Sequence, residues 1–193
     1  TVALWIVEQF GSAPDVLVAP VGGGGMISGC LAYLGERHPG TTVVGAEPSG
    51  AASMISAVAA GGPVELTSLD TFVDGAAVRR VGDVTYRVVE RWRPALYPVP
   101  EGRICSEMLA LYQIEGIVTE PAGALAAASL GLFQPEPGQT VVVIVSGGNN
   151  DVSRYAEILE RSLVYEGRKH YFLVNFPQEP GALRRFLDEV LGP

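Results

Sequence analysis

The sequence predicts an α/β fold: a doubly wound, mostly parallel sheet, followed by the truncated start of a second, α+β domain. Two observations carry the first part. Residues 15–21 and 140–145 are almost continuously apolar, the pattern of strands covered on both faces. Stretches of helical periodicity alternate with such strands, which implies parallel neighbours joined by crossover helices. The second domain is read from a change of texture around 167–170, where a linker gives way to a new strand and helix.

The elements follow in order. The chain opens on Val2, Leu4, Ile6 and Val7, a helical spacing already under way, so it reads as part of a longer protein. The strand at 15–21 runs into four glycines, and a helix is expected from Met26 to Tyr33. Residues 41–46 form a second strand and 50–60 a small-residue helix closed by Gly61, Gly62 and Pro63. Residues 83–91 form a short amphipathic helix, 96–98 a brief extended piece, and 101–113 a helix spaced on Ile104, Met108, Leu109 and Leu111. An Ala-rich helix covers 121–132. The strand at 140–145 leads into Ser146-Gly147-Gly148-Asn149, and a helix capped by Asn150 or Asp151 covers 151–163. Beyond the linker, 171–176 reads as a strand and 181–191 as an amphipathic helix, giving domains at 1–166 and 167–193.

Composition narrows the function. Asp and Glu number 21 against 13 Lys and Arg, so there is no basic field to bind nucleic acid. Residues 16–35 carry no charge and are long enough to span a bilayer, but Pro20, the glycines and Ser28 would break such a helix, so no membrane segment is expected. Cys30 and Cys105, with His38 and His170, are too scattered for a zinc site. They read as reduced thiols of a cytoplasmic protein.

The chemistry concentrates at strand ends. Gly22, Gly23, Gly24 and Gly25 stand between a buried strand and a helix. Without Cβ atoms the backbone can take positive φ and aim successive N–H groups at one point, to which the helix adds its positive end. One or two glycines would suffice for a tight turn, so four point to a phosphate cradle. It is neither a P-loop nor the dinucleotide fingerprint, since no Lys-Ser or Lys-Thr follows and Ile27 or Ser28 stands where the third glycine would be. Ser146 ends the other strong strand, where ligands of open α/β sheets bind. Its hydroxyl reads equally as a ligand group or as a turn or cap. Glu47-Pro48 and Glu120-Pro121 put carboxylates at element boundaries, where each could meet a ligand or cap a helix, and Asp74-Gly75 reads as a turn.

Taken in order, Val21-Gly22-Gly23-Gly24-Gly25-Met26, Glu47-Pro48, Asp74-Gly75, Glu120-Pro121-Ala122-Gly123-Ala124 and Ser146-Gly147-Gly148-Asn149 resemble the pyridoxal 5'-phosphate (PLP)-dependent serine/threonine dehydratases of the tryptophan-synthase-β fold. The segment 71–79 and the tail 169–177 narrow the resemblance to biosynthetic threonine ammonia-lyases (threonine dehydratases) with an ACT-like regulatory domain. The resemblance implies that Gly22, Gly23, Gly24, Gly25 and Met26 bind the PLP phosphate and that Ser146 hydrogen-bonds the pyridine nitrogen. It also implies that Glu120 is the catalytic glutamate of the cleft. The implied reaction is deamination of L-threonine, and possibly L-serine, with 2-oxobutanoate and ammonia as the products from threonine. The expected surroundings are an isoleucine or valine effector, a homo-oligomer and the pathway to isoleucine. Some relatives bind a divalent cation at positions matching Glu47 and Ala51, but Ser53 stands where their aspartate would be, so no metal is assigned.

One departure bears on activity. The family's cofactor-anchoring lysine precedes the tetraglycine, and the single lysine here, Lys169, reads as a solvated hinge residue. The chain is therefore expected to be inactive alone, as one half of a larger enzyme. Two alternatives are a serine dehydratase or racemase of the same fold and a non-catalytic ligand sensor. An anchoring lysine upstream of Thr1 would discriminate the enzymes from the sensor.

Overall fold

The computed structural model describes residues 2–192. Its centre is a four-stranded sheet built, among the described residues, from β1 (Val16–Pro20), β2 (Thr42–Pro48), β3 (Ala95–Val99) and β4 (Val141–Val143), in the order β3-β2-β1-β4. Every pairing is parallel, with Val16 opposite both Thr42 and Val141. The ladder continues past β4, where the Ile144 N–H donates to the Val18 carbonyl at 3.0 Å. The chain moves outward from β1 to β3 and then returns to lay β4 on the other side of β1. That reversal makes a topological switch point at the C-terminal ends of β1 and β4.

All five residues of β1 are buried, as the unbroken apolar run predicts. Alternate side chains serve opposite faces. Leu17, Ala19 and Val43 pack on one face with α1 (Val2–Phe10), α2 (Gly25–Arg37) and α4 (Asp83–Trp92). Val16, Val18 and Val44 face the other side, against Ala126 of α6 (Pro121–Ala128). A second cluster joins Ile104, Cys105 and Met108 of α5 (Glu101–Glu115), Leu125 of α6 and Ile158 of α7 (Tyr155–Tyr165). Leu17, Ile27, Ile104 and Leu125 are fully enclosed, and each contributes about 2 kcal/mol of transfer free energy. The remaining helix on this side of the linker, α3 (Ser53–Ala60), lies beside β2 and β3.

Several boundaries differ from expectation. The helix after the glycines runs on to Arg37, and the Ala-rich helix stops at Ala128, continuing as a short 3-10 turn over Ser129–Gly131. Asp151 caps a 3-10 turn, Val152–Arg154, by accepting the Ser153 N–H at 2.9 Å, and α7 follows it. The strand expected at 171–176 does not form. Tyr171, Phe172 and Leu173 are exposed, and among the described residues no strand lies beside them to complete a ladder. The expected last helix is present as α8 (Ala182–Phe186), continued by a wider π turn over Leu187–Leu191. Among the described residues no helix is long and apolar enough to cross a membrane.

Candidate functional site

The site is built where β1 ends. The Val21 N–H still pairs with the Ala46 carbonyl at 2.8 Å, and the chain then turns through the four glycines into α2. They do not share one role. Gly24 alone among them takes a left-handed backbone, at φ 86°, and a Cβ there would lie 2.5 Å from Met54 Cε. Gly22 answers a close approach, since its Cβ would sit 3.0 Å from the Ala76 Cα. Gly23 and Gly25 face open space, with no heavy atom within 4 Å of an added Cβ. Positive φ is thus used at one of the four: one residue turns the chain, one allows contact, and two keep the cradle empty of side chains.

The product is a cavity of about 200 Å³ lined by Pro20, Gly22, Gly23, Gly24, Gly25, Met26, Gly75, Ala76, Ala122 and Ser146. No lining residue is charged. The N-terminal end of α2 opens on it, and the first turn of α2 carries no acidic residue to occupy the free N–H groups. An anion entering here would meet backbone dipoles without a competing carboxylate.

Ser146 enters the same cavity from the end of the neighbouring strand. It is exposed, and its Oγ donates to the Ala122 carbonyl at 3.2 Å, so it caps no helix. Glu120 is the residue that leads into α6, yet its carboxylate makes no capping bond there. Its N–H donates to the Gly147 carbonyl at 3.1 Å. Its side chain lies against Gly147, where an added Cβ would strike Oε1, and 3.6 Å from the Cβ position of Gly75. Ser146 and the glycines therefore line one cavity, with Glu120 beside the serine's turn rather than in the cup wall.

The other boundary residues separate. Glu47 is wholly buried, and its two oxygens accept the Met54 and Ile55 N–H groups at 2.7 and 2.8 Å. It caps α3 from the end of β2. Burial pushes its carboxyl up to about 7, outweighing both amides. The nearby Ser53 hydroxyl is buried without a hydrogen-bond partner. Asp74 accepts the Gly75 N–H at 3.0 Å, the turn that the sequence predicts. Lys169 pairs with Glu160 at 2.6 Å and lines no part of the cup. Among the described residues no group of three His, Cys, Asp or Glu could hold a metal ion.

Sequence reasoning missed Thr85, whose Oγ1 donates to the Gly23 carbonyl at 2.7 Å, and Met54, which packs beneath Gly24. Neither carries a motif. Their roles come from α2 packing on α4 and from Glu47 fixing the start of α3.

Residues 1–147 match the family described as pyridoxal-phosphate dependent enzymes, and residues 160–193 match the C-terminal regulatory domain of threonine dehydratase. The chain is 58% identical over its whole length to biosynthetic L-threonine dehydratase IlvA of Mycobacterium bovis, covering 46% of that protein. It is 50% identical over its whole length to the Bacillus subtilis protein of the same name, again covering 46% of it. The chain thus spans about half the length of these curated relatives. Among solved structures, the processed form of threonine deaminase isoform 2 from Solanum lycopersicum superposes with a TM-score of 0.76 at 30% identity, over 84% of this chain and 48% of that one.

Proposed function

The chain belongs to the family of pyridoxal-phosphate dependent enzymes, and on that premise we propose that its glycine cup holds the cofactor phosphate while Ser146 faces the ring nitrogen. One observation carries the reading: an uncharged cavity at the switch point joins a helix N-terminus to a hydroxyl from the adjacent strand. The residues fit the group. Gly23 and Gly25 leave vacant the space that any side chain would fill, and the backbone N–H groups at the start of α2 suit a phosphate. When bound, PLP supplies an electron-withdrawing ring that eases loss of the substrate's α-proton.

This chain's residues have three roles in that reading. The cup fixes the phosphate and so the tilt of the ring. Ser146, whose hydroxyl rests on the Ala122 carbonyl, turns its O–H to the ring nitrogen, a neutral donor in place of a carboxylate. A neutral partner leaves the ring a weaker sink, which suits β-elimination over long-lived carbanions. Glu120, with no capping bond to occupy it, takes the acid-base part at the cleft wall.

For the whole protein we infer deamination of L-threonine to 2-oxobutanoate and ammonia, with L-serine as a second substrate. Similarity to biosynthetic threonine dehydratases along the full chain supports the reading, as does the match to their regulatory domain. The same reading carries isoleucine or valine as effector, a homo-oligomeric assembly in the cytoplasm, and a domain boundary between 166 and 167, just after α7. The test is 2-oxobutanoate release from L-threonine by the intact protein, beside pyruvate release from L-serine, with and without isoleucine. Threonine preference and inhibition by isoleucine are expected. Serine preference with no response to isoleucine would transfer the reading to the serine-directed relatives, and failure to bind PLP would end it.

A further inference from the structure

One wall of the cup is not made by the glycine turn. Gly75 and Ala76 line the cavity, and Ala76 is the residue that Gly22 touches. The segment leading to them, residues 70–76, is irregular, so its position depends on what holds it. Local bonds supply part of the answer. Asp70 accepts the Phe72 N–H at 2.8 Å, and the Ala76 N–H reaches the Val73 carbonyl at 2.9 Å. The Asp70 N–H donates to the Gly50 carbonyl at 2.9 Å.

The rest comes from α7 and the turn just before it. The Arg154 guanidinium donates to the Phe72 carbonyl at 2.6 Å, lies 3.6 Å from an Asp74 oxygen, and sits 5.0 Å from the centroid of the Phe72 ring. Arg161, two helical turns further on, places its guanidinium carbon 4.1 Å from the same centroid. It also lies 3.7 Å from Asp70 and is itself steadied by Glu157 at 2.8 Å. Phe72 is buried, so these are cation–ring contacts at a largely desolvated ring, where they are stronger than on a surface. Two arginines at helical spacing thus grip one aromatic residue, its carbonyl and the two flanking carboxylates.

The grip joins two parts of the molecule. Phe72 lies in the segment matched to the cofactor-binding family, and Arg161 lies within the regulatory-domain match, which begins inside α7. We propose that Arg154 and Arg161 are positioning residues that clamp Phe72 and thereby set the Gly75–Ala76 wall of the phosphate cup. The clamp is the point at which α7 acts on the cofactor. The inference rests on the reading of the cup as the PLP phosphate site. It assigns the arginines no contact with cofactor or substrate.

The test uses the intact protein with Arg154→Gln and Arg161→Gln, singly and together. Three quantities are measured: the PLP dissociation constant, the ³¹P resonance of bound PLP, and the unfolding midpoint of the PLP-free protein. The double variant is expected to raise the dissociation constant about tenfold, the scale of a lost charge-assisted bond, and to move the ³¹P resonance. Arg154→Lys and Arg161→Lys keep the charge without the planar fork and should fall between wild type and the Gln variants. They also serve if the double variant does not fold. Arg184→Gln, on exposed α8, is the control and should change neither PLP reading. An unchanged resonance and affinity would overturn the clamp. So would a lowered midpoint with an unmoved resonance, which marks a merely structural role. Failure of the wild type to bind PLP would instead remove the cofactor reading itself, and the clamp with it.

Discussion

The Thr85 hydroxyl donates to the Gly23 carbonyl at 2.7 Å, so the third residue of α4 fixes a peptide in the middle of the glycine cup. The same hydroxyl lies 2.9 Å from the Gly82 carbonyl, while Ser28 of α2 donates back to the Thr85 carbonyl at 3.2 Å. The start of α2 and the start of α4 are tied to each other through the cup. Thr85→Val keeps the shape and removes the donor. It should weaken PLP binding by the intact protein about tenfold, the upper end of what one unmade hydrogen bond costs. Thr85→Ser should restore it. Titration of PLP into the three proteins checks this, and equal affinities would detach the contact from the cup.

The four glycines should respond differently to alanine. At Gly24 the backbone is left-handed and the new methyl meets Met54 and Thr85, so Gly24→Ala should cost stability by about 1–3 kcal/mol and abolish cofactor binding. At Gly23 the φ is ordinary and the space is open. Gly23→Ala should leave the unfolding midpoint near wild type while cutting PLP affinity, because the methyl enters room the phosphate needs. Thermal denaturation of the PLP-free proteins, paired with PLP titration, separates the two outcomes.

What the sequence made legible follows from how local each signal is. The apolar runs of β1 and β4 and the glycines after β1 each carry their meaning within a few residues. So does Ser146 at the end of its strand. Thr85 and Gly23 are 62 positions apart, and Arg154 and Phe72 are 82 apart, so no window along the chain holds either pair. Glu47 read as a boundary carboxylate that could meet a ligand or cap a helix, and it caps one. Whether it faces solvent or the start of α3 depends on the path of the loop after β2, which its own neighbours do not specify. Residues 171–176 have strand composition, but a strand is a pairing, and composition supplies no partner.

Glu47 gives a pH signature. Its carboxyl is raised from an ordinary 4.5 to about 7 in the folded protein, with burial as the main cause. Between those values the folded state holds a proton that the unfolded chain releases. Its contribution to stability is therefore complete below about pH 4.5 and lost as pH rises to about 7, amounting to about 3 kcal/mol. Glu47→Gln cannot titrate. Across this window the wild-type melting temperature should fall relative to that of the variant, and then run parallel to it at higher pH. Parallel profiles throughout would mean that the carboxyl stays ionised in its site, held by the Met54 and Ile55 amides.

Ser146 offers the cleanest separation of chemistry from folding. Its side chain is exposed, and its bond to the Ala122 carbonyl is long at 3.2 Å. Removing the hydroxyl opens no core cavity, so Ser146→Ala should shift stability by no more than about 0.5 kcal/mol. The cup would still hold the phosphate, and PLP affinity should fall only a few-fold, the scale of one hydrogen bond lost from many. Turnover should suffer more, because the hydroxyl facing the ring nitrogen is gone. In the intact protein kcat for 2-oxobutanoate release should drop at least tenfold, a barrier rise of about 1.4 kcal/mol, while KM changes little. Ser146→Asp is the sharper case. A carboxylate would hold the ring nitrogen protonated and strengthen the sink, favouring slow, carbanion-retaining chemistry over elimination. If Ser146→Ala keeps full turnover, Ser146 is only a turn hydroxyl, the bland reading its sequence position also allows.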